Sequence, residues 1–187
     1  VPRPVSVQND FNFNNRTYET STAEACHHLG VVGMPYGALG GGALTGKYQD
    51  ARYAGDRPLE LTRHRVKADF QPRYACPVAM AAAAEYIALA EEYGISPTDL
   101  ALAWTRDRWF NAVVVTGTTT VQQCEEAIRA FKLEALPREL LDAIGGEVEL
   151  AAELSEEARR TWKNTLQYVL FQKEAGEDVG ARYALSL

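Results

Sequence analysis

Three short apolar runs constrain this chain more than anything else in it. They are Val5-Ser6-Val7-Gln8, Val31-Val32-Gly33-Met34-Pro35-Tyr36 and Ala112-Val113-Val114-Val115-Thr116. None alternates cleanly between apolar and polar, which is the pattern of strands covered on both faces of a parallel sheet. Helical patterns fall between and after them. Thr22–Leu29 is a short helix. Pro77–Tyr93 carries an alanine-rich stripe and stops at Gly94, a residue free to take the left-handed turn after a helix. Ser96, Pro97 and Asp99 read as N-cap, first helical residue and first-turn acid of a helix reaching about Arg108. Val121–Phe131 follows the third run directly. Pro137 opens another helix that weakens at Gly145-Gly146. Ser155 caps a last one to about Lys173, with Trp162, Leu166, Val169 and Leu170 on one stripe. Strands alternating with helices give an α/β fold with right-handed crossovers.

At 187 residues the chain is long enough for one domain with a sizeable core. A net charge of −6 argues against whole-molecule attraction to nucleic acid or anionic membranes. No apolar run reaches membrane-spanning length, and Val78–Ala90 is interrupted by Glu85. Cys26, Cys76 and Cys124 are far apart and form no CxxC pair. Reduced thiols in the cytosol or another reducing compartment are expected, and a zinc site is not. The first residue is Val and not Met, so an upstream stretch is expected, including an organellar transit peptide as one option.

The second run opens into Gly37-Ala38-Leu39-Gly40-Gly41-Gly42-Ala43-Leu44-Thr45-Gly46-Lys47. A strand, a glycine-rich loop and a lysine let backbone approach a phosphate. Gly41–Lys47 also fits the GxxxxGK part of a P-loop. Tyr48 stands where the Mg²⁺-binding hydroxyl belongs, however, and Gln49-Asp50-Ala51 does not read as a helix start. The alternative is a glycine turn that only reverses the chain. Beyond it, Gln49–Tyr74 has no clear period and reads as a long loop. It carries Arg52, Arg57, Arg63, Arg65, Lys67 and Arg73, more cations than acids. It is either a solvated loop or a basic flap over an anionic ligand.

Taken in order, Val5–Asn9, Asn15-Arg16, Val31–Tyr48, Leu100–Trp104 and Val115–Glu126 resemble the aldo-keto reductases, most closely the branch of the potassium-channel β-subunits and related bacterial reductases. The likeness covers Val5 to Gly145. It implies strands six to eight, with their helices, of a TIM-type (β/α)₈ barrel over residues 1–146. Residues 147–187 are then a C-terminal helical extension, either packed on the barrel or docking a partner. It also implies NADP(H), held across the C-terminal ends of the strands, the functional face of such barrels.

By the same resemblance, Gln8 bonds the nicotinamide amide and Tyr36 stacks on the nicotinamide ring. Gly37, Leu39 and Gly41 offer backbone to the pyrophosphate, Lys47 faces the phosphates, and Arg57 joins them from the basic loop. Gly117, Thr119 and Gln123 hold the adenosine 2′-phosphate at a helix start, and Glu126 reaches the adenine. The chain departs from the family at Gly37-Ala38, usually Ser-Pro. It departs again at Thr120, Arg in many members, and at Ala127, usually Asn. The last two departures weaken adenine and 2′-phosphate recognition.

The family's Asp, Tyr, Lys and His tetrad lies on its first four strands, and no residue here corresponds to it. His27 and His28 read as surface or packing residues, and His64 as solvated. Tyr18, Tyr48, Tyr53 and Tyr74 have no Lys or His partner at a recognisable spacing. Three strands also cannot close an eight-stranded barrel, so their edges call for a missing N-terminal half or a partner chain. Two functions are therefore expected. One is the C-terminal half of an NADP(H)-dependent reductase acting on a small carbonyl substrate. The other is a degenerate, non-catalytic structural or cofactor-sensing subunit of a larger assembly.

Overall fold

A computed structural model describes residues 2–53, 60, 62–67 and 70–145 of the chain. The first two apolar runs give short strands, β1 (Ser6–Val7) and β2 (Val32–Gly33). They pair in parallel, Ser6 opposite Val32 and Val7 opposite Gly33. The register carries on to a bridge between Asp10 and Tyr36. The third run also lies parallel to β2, through Gly33–Asn111 and Tyr36–Val115 bridges. The Ala112 and Val115 amides donate to the Gly33 and Pro35 carbonyls at 2.9 and 2.8 Å. It is not the continuous strand expected. The chain takes four steps from Asn111 to Val115 against three from Gly33 to Tyr36. One residue is therefore left out of the pairing, as in a bulge.

The helices follow the capping signals closely. They are α1 (Ser21–His28), α2 (Arg63–Val66), α3 (Pro72–Ala75), α4 (Pro77–Glu92), α5 (Pro97–Arg106), α6 (Val121–Lys132) and α7 (Arg138–Ala143). Gly94 follows α4 with φ +65°, and the Ile95 amide returns to the Ala90 carbonyl at 2.9 Å. The Ser96 hydroxyl accepts from the Asp99 amide at 3.1 Å and starts α5. The Thr120 hydroxyl accepts from the Gln123 amide at 3.2 Å and starts α6. These bonds satisfy helix-start donors that have no partner within the helix. α5 stops two residues short of Arg108, whose side chain is buried against the Trp104 ring and beside Glu19. The stretch read as a loop, Gln49–Tyr74, contains a 3-10 turn (Ala51–Tyr53), α2 and the start of α3.

The core has two parts. Ala38, Leu102, Ala127 and Ala130 pack together with Leu39, Val114 and Phe131, which seats α5 and α6 against the third run and the glycine loop. An aromatic cluster fills the rest. Phe11 stacks on Trp104 at 5.1 Å and meets Phe110 edge-on, while Phe13 stacks on Tyr86 at 4.4 Å. Two cross-helix contacts lock α5 to α6. Asp99 pairs with Arg129 at 3.0 Å, and Arg106 Nη1 donates to the Ala130, Phe131 and Leu133 carbonyls. The chain divides into compact units Val1–Leu140 and Leu141–Leu187. The expected Ser155–Lys173 helix, and the whole 147–187 extension, lie outside the described residues.

No helix among the described residues is long and apolar enough to cross a membrane. Cys26, Cys76 and Cys124 are free thiols.

Candidate cofactor site

The bridges Asp10–Tyr36 and Tyr36–Val115 bring the C-terminal ends of the three parallel runs side by side. Gln8 lies two residues before this line and Gly117 two residues after it. Side chains alternate along such segments, and bridged residues in neighbouring segments share a face. Val114 faces the helices. Tyr36 and Val115 therefore face the other way, as do Gln8 and Val113. On that face Tyr36 is 36% and Val113 56% exposed, while Asp10, bridged to Tyr36, is nine-tenths buried. A large aromatic residue thus stands partly exposed at the end of the central segment.

After Tyr36 the chain enters the glycine loop. Gly37 has φ +73°, and an added Cβ there would lie 2.5 Å from Asp10 Oδ1. Gly40, Gly41 and Gly42 follow with φ of +54°, +65° and +98°. Left-handed backbone of this kind costs other residues roughly 1–2 kcal/mol each, so the three glycines make the tight winding possible. The loop is a kinked 3-10 turn, Gly40–Thr45, closed by Gly46 at φ +84°. The Gln49 and Asp50 amides then fold back onto the Gly46 carbonyl. No helix starts after Lys47, so a P-loop arrangement is not formed.

Lys47 folds over this loop. A Cβ at Gly42 would meet its Nζ at 2.7 Å, and Nζ sits 5.2 Å from the Tyr48 ring centre. His64 and Gln71 close on Gly41, where a Cβ would meet His64 Nε2 at 3.0 Å and Gln71 Oε1 at 2.8 Å. His64 is therefore not the solvated residue expected. Both of its ring nitrogens are buried, and the ring lies edge-on to Tyr48 at 5.2 Å and tilted against Phe70. Tyr48 consequently gathers a lysine and a histidine that sequence spacing did not reveal. They contact its ring, and its hydroxyl is buried.

The other residues named from the sequence are placed as follows. Gln8 is exposed beside β1. Leu39 is half-buried in the α5–α6 core, and its carbonyl accepts from the Gly42 and Leu44 amides. Gly117 is exposed, with nothing near a Cβ built on it. Gln123 Oε1 accepts from the amide and hydroxyl of Thr119 at 2.9 and 3.1 Å, which stitches the loop to α6. Glu126 accepts from Gln122 at 3.0 Å. Ala127 is in the helix core and Thr120 caps α6 by accepting from the Gln123 amide, so both departures from the family pattern have local structural roles. Arg57 lies outside the described residues. His27 packs edge-on against Trp109 at 5.4 Å, and burial together with its neighbour His28 lowers its pKa.

Sequence reasoning missed the cluster that braces Gly37. Asp10, nine-tenths buried, accepts from Arg73 Nε at 2.9 Å and Nη2 at 2.5 Å, both at Oδ2. Arg73 stacks over the Tyr74 ring at 4.7 Å. Asn12 Nδ2 donates to the Tyr74 hydroxyl at 2.7 Å and to the Gly37 carbonyl at 2.8 Å. Asn12 Oδ1 accepts from the Asn14 and Asn15 amides. Burial, then the Asp10 carboxylate, raises the Tyr74 pKa, so its hydroxyl stays protonated at neutral pH. The Asp10–Arg73 and Asn12–Tyr74 pairs are more than sixty residues apart in the chain, and no local signal announces them. The basic loop is itself partly spent on ion pairs, since Arg52 binds Asp50 and Glu91. Among the described residues, no group of three His, Cys, Asp or Glu side chains could hold a metal ion.

Known proteins resemble most of the chain. The model of the aldo/keto reductase family matches residues 1–146. Two curated relatives, each called Protein tas, come from Escherichia coli (strain K12) and Shigella flexneri. Each is 35% identical over 135 residues, covering 72% of this chain. The chain spans 37% of the length of these relatives.

Proposed function

Because the chain belongs to the aldo/keto reductase family, we propose that it supplies the cofactor-holding part of an NADP(H)-dependent carbonyl oxidoreductase. On this reading its three parallel runs are strands six to eight of a (β/α)₈ barrel. Gln8 takes the nicotinamide amide and Tyr36 the ring face. Gly37, Leu39, Gly41 and Lys47 hold the pyrophosphate, with Arg57 beside them. Gly117, Thr119, Gln123 and Glu126 take the adenosine end. One observation carries the proposal. Tyr36, partly exposed, is bridged on both sides at the aligned ends of three parallel runs, and the glycine loop follows it directly in the chain.

Bound there, reduced nicotinamide would supply a hydride to a carbonyl carbon. This chain's residues would orient it. A ring stacked on Tyr36 and anchored at Gln8 can present only one face to a substrate. Neutralising the pyrophosphate falls to Lys47 and the loop backbone. The carbonyl oxygen needs a proton from a general acid. The described residues offer none at Tyr36, so that group comes from further sequence or from a partner chain covering the open sheet face. A second reading, a non-catalytic cofactor-sensing or structural subunit, is favoured by Ala127, which gives its side chain to the core and none to adenine.

The test is NADPH fluorescence on mixing with the intact polypeptide. The expected result is a change in the wild type that Tyr36→Ala abolishes. No change at millimolar NADPH would sink the cofactor reading and leave a structural role.

A further inference from the structure

Position 37 is closed to any side chain. Asp10 Oδ1 lies 2.5 Å from where a Cβ would sit, closer than real Cβ contacts, and the backbone is left-handed. The hydroxyl that the family resemblance places at this position cannot be accommodated beside Asp10. The same Asp10 carboxylate, through its other oxygen, holds Arg73, which is 47% exposed. One carboxylate thus meets position 37 through Oδ1 and the Arg73 guanidinium through Oδ2. Arginine presents several donors in a planar fork that fits phosphate oxygens.

We propose that Arg73 is a phosphate-positioning and specificity-determining residue of this site, taking over at residue 37 the role that a side chain there cannot fill. The ligand group it recognises is a pyrophosphate. Asp10 holds the guanidinium in reserve and competes with the ligand for it. The same carboxylate also acts on the Tyr74 hydroxyl, raising its pKa, so its negative charge faces this corner. An arriving pyrophosphate exchanges the Arg73–Asp10 contact for Arg73–phosphate contacts. The proposal rests on the cofactor reading for the identity of the natural ligand, but Arg73's affinity for pyrophosphate does not depend on it.

The experiment measures dissociation constants of NADPH and of inorganic pyrophosphate for the full chain, with wild type, Arg73→Gln, Arg73→Lys and Asp10→Asn. Each variant is first checked for a cooperative thermal transition. The expected result is about tenfold weaker binding in Arg73→Gln, the scale of one lost charge-assisted contact. Arg73→Lys recovers part of it. Asp10→Asn binds at least as tightly as wild type, because a competing anion is gone. A purely structural ion pair would behave differently, since either partner's loss would weaken binding alike, and that outcome overturns the proposal. So does an Arg73→Gln protein that binds like wild type. Arg73-dependent pyrophosphate binding without NADPH binding leaves this inference standing and removes the cofactor reading. Tyr36-dependent NADPH binding indifferent to Arg73 does the reverse, and binding of neither removes both.

Discussion

Replacing Gly37 with alanine tests the packing of the strand ends most directly, and its cost is set by a single neighbour. Alanine at φ +73° carries a backbone penalty of roughly 1–2 kcal/mol. Its Cβ would also fall 2.5 Å from Asp10 Oδ1, closer than real Cβ contacts. The carboxylate cannot yield freely, being nine-tenths buried and tied to Arg73. Displacing it sacrifices a hydrogen bond between charged groups, about 1.5–3 kcal/mol. Gly37→Ala should therefore cost about 2.5–5 kcal/mol in the wild type. With Asp10→Ala already made, the clash is absent and only the backbone penalty of ~1–2 kcal/mol remains. The cycle should return a coupling of about 1.5–3 kcal/mol. Equilibrium urea unfolding of the intact polypeptide, followed by tryptophan fluorescence, reads all four proteins. Equal costs of Gly37→Ala in the two backgrounds would refute the argument, because Asp10 would then not be what closes position 37.

Other consequences are sharper for stability than for function. Arg106→Gln removes the cation that binds three carbonyls at the end of α6, so the urea midpoint should fall by the equivalent of about 1.5–3 kcal/mol. Glu19→Ala removes the carboxylate 3.6 Å from the buried Arg108 and should lower the urea midpoint, with the double variant Glu19→Ala/Arg108→Met recovering part of the loss. Burial, then Cys26, pushes the Tyr18 pKa above its ordinary 10.0. A raised folded-state value means a contribution that is whole below 10.0 and is lost as pH rises through the folded value. Unfolding midpoints should therefore drop in strong alkali, and Tyr18→Phe should flatten that drop. His27 has the opposite sign, being lowered from 6.5. Its contribution is present above 6.5 and fades as pH falls, and His27→Gln should remove that part of the acid dependence.

Much of the helical framework was legible because its signals are local. Ser96 and Thr120 each cap a helix within three residues, and Gly94 ends one by a backbone preference of its own. The strands were less so. The third run has ideal strand composition, yet it makes two bridges and a bulge, because ladder continuity depends on register with β2 and not on its own residues. His64 illustrates the same divide. Its surroundings in sequence are charged, and only the folding of Gln49–Tyr74 back over the glycine loop buries it beside Tyr48 and Phe70.

The sequence by itself determined the alternation of strands and helices, where most helices start and stop, the glycine loop after Tyr36, and the family. These are matters of periodicity, capping chemistry and backbone freedom, each decided within a few neighbouring residues. Tertiary structure decided which of the charges matter. Arg73 is one of six cations in an irregular stretch, and nothing near it in sequence separates it from Arg65 or Lys67. It stands out only because Asp10, sixty-three residues earlier, is buried at the end of β1 and needs a cation there. That pairing in turn explains why residue 37 is glycine. Such a constraint joins three distant segments through the low tolerance of a buried carboxylate for being left alone, and the chain states it only once it has folded.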